Sequence, residues 1–150
     1  MIPEITLWMS EFIINYGFIA LLISSFICAT IFPASSVAIL FVALSAGMEP
    51  ISAVISSSIG NCLGCVFNYY LGRIIGNPLL PKLQKSKNGE KAIRYVKKYG
   101  TYSLYLAWTP FLGDPITIAA GIFKITFVKF VLIVFSFRIF FYIIVMLFYI

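Results

Sequence analysis

Histidine is absent from the chain, acidic residues number five, and cysteines three. Without histidine, and with no cluster of acids and no nucleophile beside a base, the usual constellations for metal binding and for acid–base or covalent catalysis are missing. The chain therefore reads as a non-enzyme with no metal site and no cofactor. Cys28, Cys62 and Cys65 lie in apolar segments and are too few for a disulfide framework. The C-x-x-C spacing of Cys62 and Cys65 reads as small residues in helix packing. Positive charge is missing from a whole region, since no Lys or Arg precedes Arg73. The start MIPEITLWMSEF carries Glu4 and Glu11 instead of the basic residues of a cleavable signal, and residues 1–11 read as a short interfacial helix.

What the chain has in abundance is apolar surface, with 61% hydrophobic residues against 11% charged. That composition lies far from that of soluble domains and predicts an all-helical integral membrane protein with a single membrane domain over residues 1–150. The net charge of +6 is concentrated. Lys82, Lys85, Lys87, Lys91, Arg94, Lys97 and Lys98 crowd residues 77–99, which the positive-inside rule places in the cytoplasm. Within that stretch Asn88 can cap a short helix closed by Gly100. Ile93 and Val96, ringed by cations, suggest a helix lying on the inner leaflet. Nucleic acid is not a fitting partner for so apolar a chain.

Residues 12–47 are mostly apolar, and one straight helix of that length would extend about 54 Å against a hydrocarbon core of about 30 Å. It must break, and Pro33, followed by Ser35 and Ser36, marks the place. Residues 51–72 suit one full crossing. Ser52, Ser56, Gly60, Gly64, Asn68 and Gly72 recur every four positions there as a seam for close backbone approach, and Asn68 can hydrogen-bond to a partner. Residues 101–121 hold WTPFLGDPITIAAG, an apolar stretch interrupted by Pro110, Gly113, Asp114 and Pro115. Residues 125–150 supply a second full crossing.

If 101–121 enters the membrane and returns, Lys124 and Lys129 share the cytoplasmic side with the basic stretch. If 12–47 does likewise, Glu4, Glu11 and Glu49 share an outer face without basic residues. SAGMEPIS (Ser45–Ser52) echoes AAGIFKIT (Ala119–Thr126), each ending a broken segment and opening a full span. The expected fold is thus two inverted repeats, each a re-entrant helical hairpin followed by a transmembrane helix.

Backbone groups freed by such breaks must line protein or a wet cavity. Opposed hairpins bring Pro33, Ser35 and Ser36 toward Pro110, Gly113 and Asp114 near the midplane. Asp114 is the one acid expected deep in the membrane, where an unpartnered charge is costly. Arg138, near the centre of the last span, is its expected partner and suits a phosphate by charge and bidentate geometry. Arg73 ends a span and can snorkel to the interface. Trp108 and the tyrosines at 99, 102 and 105 suit interfacial anchoring.

GNCLGCVFNYYLGR (Gly60–Arg73), the KKYG approach (Lys97–Gly100) and WTPFLGD (Trp108–Asp114) together resemble the DedA family, also called the VTT or SNARE-associated family, in its short YqaA-like branch. The resemblance covers roughly residues 24–142. It implies opposed re-entrant hairpins in a bacterial inner membrane and the translocation of an anionic lipid, with undecaprenyl phosphate and phospholipid as candidates and protons as a coupled partner. Asp114 matches a motif acid, and Gly60, Gly64, Gly72 and Arg73 match the glycine-spaced helix. The acid that the family carries after the first proline is replaced here by Val37, and Phe141 occupies a position that is basic in the family. A flippase or scramblase, working as a homo-oligomer, is the leading reading. A non-transporting assembly subunit and a proton-coupled carrier of small solutes stand beside it.

Overall fold

Proline and glycine punctuate the apolar runs, and several of the helices begin or end at them. The computed structural model describes residues 4, 7, 8, 11, 15–30, 36–107, 109 and 112–150, with Ser36 described by its backbone alone. Every regular element among the described residues is helical. Gly17, at φ +60°, precedes α1 (Phe18–Thr30), and α2 spans Ser36–Ser45. Pro50 opens α3 (Pro50–Ile75) at the first-turn position where its missing N–H costs nothing, and Gly76, at φ +66°, closes it. The basic stretch 77–99, expected as a loop with one short helix, is helical nearly throughout. It holds a 3-10 turn (Asn77–Leu79), α4 (Leu80–Gln84) and α5 (Lys87–Tyr99). A 3-10 segment (Gly100–Leu106), α6 (Gly113–Ile122) and α7 (Phe127–Tyr149) follow.

Among the described residues only α3 and α7, of 26 and 23 residues, are long and apolar enough to cross a membrane. At 1.5 Å per residue the 13 residues of α1 extend about 20 Å and the ten of α2 or α6 about 15 Å, short of a core of about 30 Å. None of α1, α2 and α6 is therefore long enough to span by itself. Pro33, Ser35, Trp108 and Pro110, which the sequence assigns to the breaks, lie outside the described residues.

The chain forms two units, Met1–Gly64 with Phe140–Ile150, and Cys65–Ile139. In the first, Ser56 donates to the Phe18 carbonyl, Gly60 abuts Leu22 and Ser25, and Gly64 abuts Phe26, Ala29 and Thr30. These pairings advance together, so α1 and the first half of α3 run in the same direction. α2, packed on α1, carries the chain back to the end where both begin. Ala20, Leu21, Leu40, Ala43, Leu44 and Ala53 form the core of this unit together with Tyr142 and Val145 from the end of α7.

In the second unit Asn68 bonds Thr117, Gly72 abuts Ile118 and Ile122, and Gly121 abuts Tyr69 and Arg73. The end of α3 and α6 are thus parallel, and α7 returns against them, with the Tyr69 ring 4.6 Å from that of Phe130. The glycine seam of α3 accordingly serves two different helices. A Cβ at Gly60 would overlap the Leu22 carbonyl, and one at Gly72 the Ile118 carbonyl.

Two expectations about the basic stretch are corrected here. Ser86, not Asn88, caps α5, its Oγ accepting from the Gly89 N–H at 3.0 Å, while Gly100 ends the helix at φ +57° as expected. Ile93 and Val96 do not face lipid. They are buried with Ala92 in the core of the second unit, and α5 packs on α6. Amphipathicity alone does not tell an apolar face that meets protein from one that meets a membrane.

The connector between short and long helix is the same in both units. After α2, Gly47 (φ +89°) bonds Leu44 and Met48 bonds Ala43; after α6, Lys124 (φ +55°) bonds Gly121 and Ile125 bonds Ala120. Both are Schellman closures. Two residues beyond each left-handed residue, the carbonyls of Glu49 and Thr126 accept the first bonds of α3 and α7. Gly47 and Lys124 are 77 positions apart, and the same interval relates Pro33 to Pro110. It also superposes burial: Ile39 and Ile116, Ala43 and Ala120, Ala53 and Phe130, Ser57 and Val134, and Cys65 and Tyr142 are all buried. The echo of SAGMEPIS with AAGIFKIT is therefore out of register. It aligns Gly47 with Gly121, a mid-helix packing residue, whereas the matching backbone is at Lys124.

Candidate functional site

Polar atoms in the second unit converge where α6 begins. Gly113, Asp114 and Pro115 form the first turn of α6, a place where proline is tolerated and where a carboxylate favours the positive end of the helix dipole. Here a glycine is required by space. A Cβ on Gly113 would overlap the Ala107 carbonyl and come 2.8 Å from Arg138 Nη2. Nearby, the Thr109 N–H and Oγ1 donate to the Leu106 carbonyl, and the Gly113 N–H donates to the Thr109 carbonyl. Gly113, Asp114 and Pro115 cluster because close packing needs the glycine and a helix start accepts the other two.

Arg138 is the central residue of α7, eleven from either end, or about 17 Å along the axis. Its Nη2 donates to Asp114 Oδ1 at 2.9 Å, a charge-assisted hydrogen bond. The arginine side chain is 11% exposed and the aspartate 36%, so the pair is open chiefly on the carboxylate side. A cation at that depth is costly in lipid, and each partner offsets the other's desolvation.

A second line of polar contacts continues from the pair. Thr117, one turn beyond Asp114, donates to the Asp114 carbonyl at 2.6 Å and accepts from Asn68 Nδ2 at 3.3 Å. Thr117 is absent from the sequence-based set, although its i+3 spacing from Asp114 is a usable signal. Asn68, singled out as a cross-helix donor, meets this hydroxyl. Around them Cys65, Ile116, Ala119, Ala120, Phe130 and Val134 make the surroundings apolar.

The other candidates are distributed differently. Arg73 is exposed near the end of α3, where it donates to the Tyr69 hydroxyl at 2.9 Å, and that hydroxyl donates in turn to the Ile125 carbonyl. The sequence reading missed Tyr69. Gly60 and Gly64 serve the first unit and Gly72 the second, all as packing positions. Pro33, Ser35 and Pro110 lie outside the described residues, and Ser36 opens α2. The three cysteines are buried and form no disulfide among the described residues, where no group of metal-ligating side chains occurs either.

Comparison with known proteins gives concordant matches. The VTT domain matches residues 32–149. Inner membrane protein YqaA of Escherichia coli is 35% identical over 108 residues, which cover 71% of this chain and 72% of that protein. An uncharacterized protein of Haemophilus influenzae is 30% identical over 123 residues, covering 75% and 74%. Undecaprenyl phosphate transporter A of Bacillus subtilis is 33% identical over 89 residues, covering 55% of this chain and 45% of the transporter. No solved structure matches the chain.

Proposed function

Because the chain belongs to the VTT-domain (DedA) family, in its YqaA-like branch, we propose that it is a bacterial inner-membrane protein that translocates an anionic lipid. Undecaprenyl phosphate and phospholipids are the candidate substrates. The observation that carries this reading is the Asp114–Arg138 ion pair at mid-length of α7, half open on its carboxylate side and set in apolar surroundings. A guanidinium at that depth is an unusual expense unless something anionic visits it. The name of the Bacillus subtilis relative supports the lipid class.

The segments 12–47 and 101–121 act as re-entrant hairpins in two inverted repeats, with 51–72 and 125–150 as the crossings and 77–99 on the cytoplasmic side. The short helices and the repeated connector support this topology. A head-group phosphate competes with Asp114 for Arg138, and the arginine offers it the planar, two-pronged donor set that phosphate geometry suits. Gly113 leaves the guanidinium room to change partners. Asp114, released, turns to the open side, and the acyl or prenyl tail stays in the bilayer throughout. No covalent step is involved.

Reconstitution with labelled anionic lipid tests the proposal. The wild-type protein is expected to accelerate exchange between leaflets, and Arg138→Ala and Asp114→Asn are expected to lose it while remaining folded. Wild-type rates equal to those of empty liposomes would instead indicate a non-transporting assembly subunit.

A further inference from the structure

Every Lys and Arg of the chain lies in the second unit, which has only two acids, Glu90 and Asp114. Both are already paired, Glu90 with Arg94 at 3.6 Å and Asp114 with Arg138 at 2.9 Å. Three of the other cations converge on the connector between α6 and α7. The Arg73 guanidinium donates to the Tyr69 hydroxyl at 2.9 Å, that hydroxyl donates to the Ile125 carbonyl, and the Arg73 backbone packs on Gly121. Lys97, in the last turn of α5, holds its ammonium 5.9 Å from the centre of the Phe123 ring. Lys124, exposed, stands in the chain between Phe123 and Ile125. Charge from α3, from α5 and from the connector itself is thus gathered at residues 121–125, and among the described residues no acid pairs with any of the three.

Each of these cations ends or follows a helix, where the dipole favours positive charge. That accounts for them singly. It does not account for a lysine at φ +55°, since a left-handed backbone disfavours a side chain and the matching connector of the first unit has Gly47 there. Nor does it account for three like charges brought together with no acid to offset their repulsion. Backbone strain and uncompensated charge at one place call for an anion that supplies the missing partner. The surroundings specify what carries it. Ile74 and Ile75, beside Arg73, are exposed, Ile74 to 80%, and the exposed Tyr70 ring lies 5.4 Å from that of Phe127. Because α3 ends here and α7 begins here, the cations stand at one end of both crossing helices, at head-group level, with apolar surface beside them for acyl chains. A free anion has no use for that surface. Arg138, about 17 Å along the axis from the start of α7, is a separate position.

We propose that Arg73, Lys97 and Lys124 bind the head-group phosphate of an anionic lipid in the leaflet where α3 ends and α7 begins. Arg73, aimed by the Tyr69 hydroxyl, supplies the planar donor fork, and the two lysines add point charges. The site rests on α3 and α7 crossing a membrane and not on the translocation reading.

The test is native mass spectrometry of the full-length protein in detergent, titrated with phosphatidylglycerol. Arg73→Gln, Lys97→Gln and Lys124→Gln combined are expected to weaken binding about tenfold, the net loss of charge-assisted bonds in partly screened surroundings. Lys82→Gln, Lys85→Gln and Lys87→Gln combined remove the same charge from other exposed positions and should leave binding nearly unchanged. Equal weakening in both variants would mean diffuse attraction to net charge and overturns the site. Inorganic phosphate that binds the wild type as tightly as the lipid would overturn the lipid assignment. Lys124→Gly separates binding from folding. Relief of the left-handed strain should raise the melting temperature in lipid-free detergent while the affinity for phosphatidylglycerol falls, and a raised melting temperature with unchanged affinity overturns the proposal. The titrations are repeated with Arg138→Gln, which removes the mid-helix guanidinium. The loss in the first triple variant should persist in that background, and its disappearance would assign the lipid to Arg138 and overturn the site.

Discussion

The two units of the chain share one helix connector and differ in what they place at positions matched to it. Across the interval of 77 residues, Asp114 corresponds to Val37 and Arg138 to Asn61. The second unit therefore holds an ion pair where the first holds an apolar side chain and a neutral amide. Polarity in the first unit comes instead from serines on α1 and α3. The shared connector and burial pattern persist through this exchange of chemistry. Helix lengths and left-handed closures carry the architecture, and a few side chains set what each half can bind.

Removing the charge contrast should give the largest effect. Arg138→Ala leaves a carboxylate without its counter-ion. A fully buried pair broken this way costs about 3–5 kcal/mol, and the 36% exposure of Asp114 reduces the figure toward the lower end. Thermal unfolding in detergent measures it, and Arg138→Ala combined with Asp114→Asn should recover part of the loss. Recovery of nothing would mean that the pair does not act as a unit. Transplanting the pair comes next. Val37→Asp alone should destabilise, because it brings a carboxylate without a counter-ion into the apolar first turn of α2, and adding Asn61→Arg should restore more than half. An additive double variant would break the proposed register of the repeat.

Packing in the second unit can be probed at Gly72. Gly72→Ala drives a methyl into the Ile118 carbonyl and should cost about 1–3 kcal/mol, read in the same unfolding assay. The smallest effect separates the two connectors. Lys124 adopts a left-handed conformation at φ +55° that a side chain disfavours by about 1–2 kcal/mol. Lys124→Gly should therefore stabilise by up to about 1 kcal/mol, whereas Gly47→Lys should destabilise by a similar amount. Opposite signs at matched sites sharpen the comparison, and equal signs would undo it.

Much of this was legible in one dimension. The need for a break in 12–47 followed from its length, and the association of Asp114 with Arg138 followed from elimination, since no other acid and no other cation was expected at that depth. The echo of SAGMEPIS with AAGIFKIT pairs Gly47 with Gly121, whereas the two like connectors lie at Gly47 and Lys124, because the echo matches residue types that recur by chance among small apolar residues. Backbone conformation, a left-handed residue two before a helix start, fixes the interval instead. The fate of Ile93 and Val96 was illegible for a related reason, as an apolar face has the same spacing whether it meets lipid or protein.

Composition, charge placement and helix breakers are properties of the chain read residue by residue, and they alone determined that it is helical and membrane-embedded. Only the tertiary structure decided which neighbours the polar atoms find: Thr117 between Asn68 and Asp114, and Gly113 making room for Arg138. Hydropathy is a sum over single residues, whereas a hydrogen bond depends on distance and direction between groups far apart in the chain, and only folding supplies these.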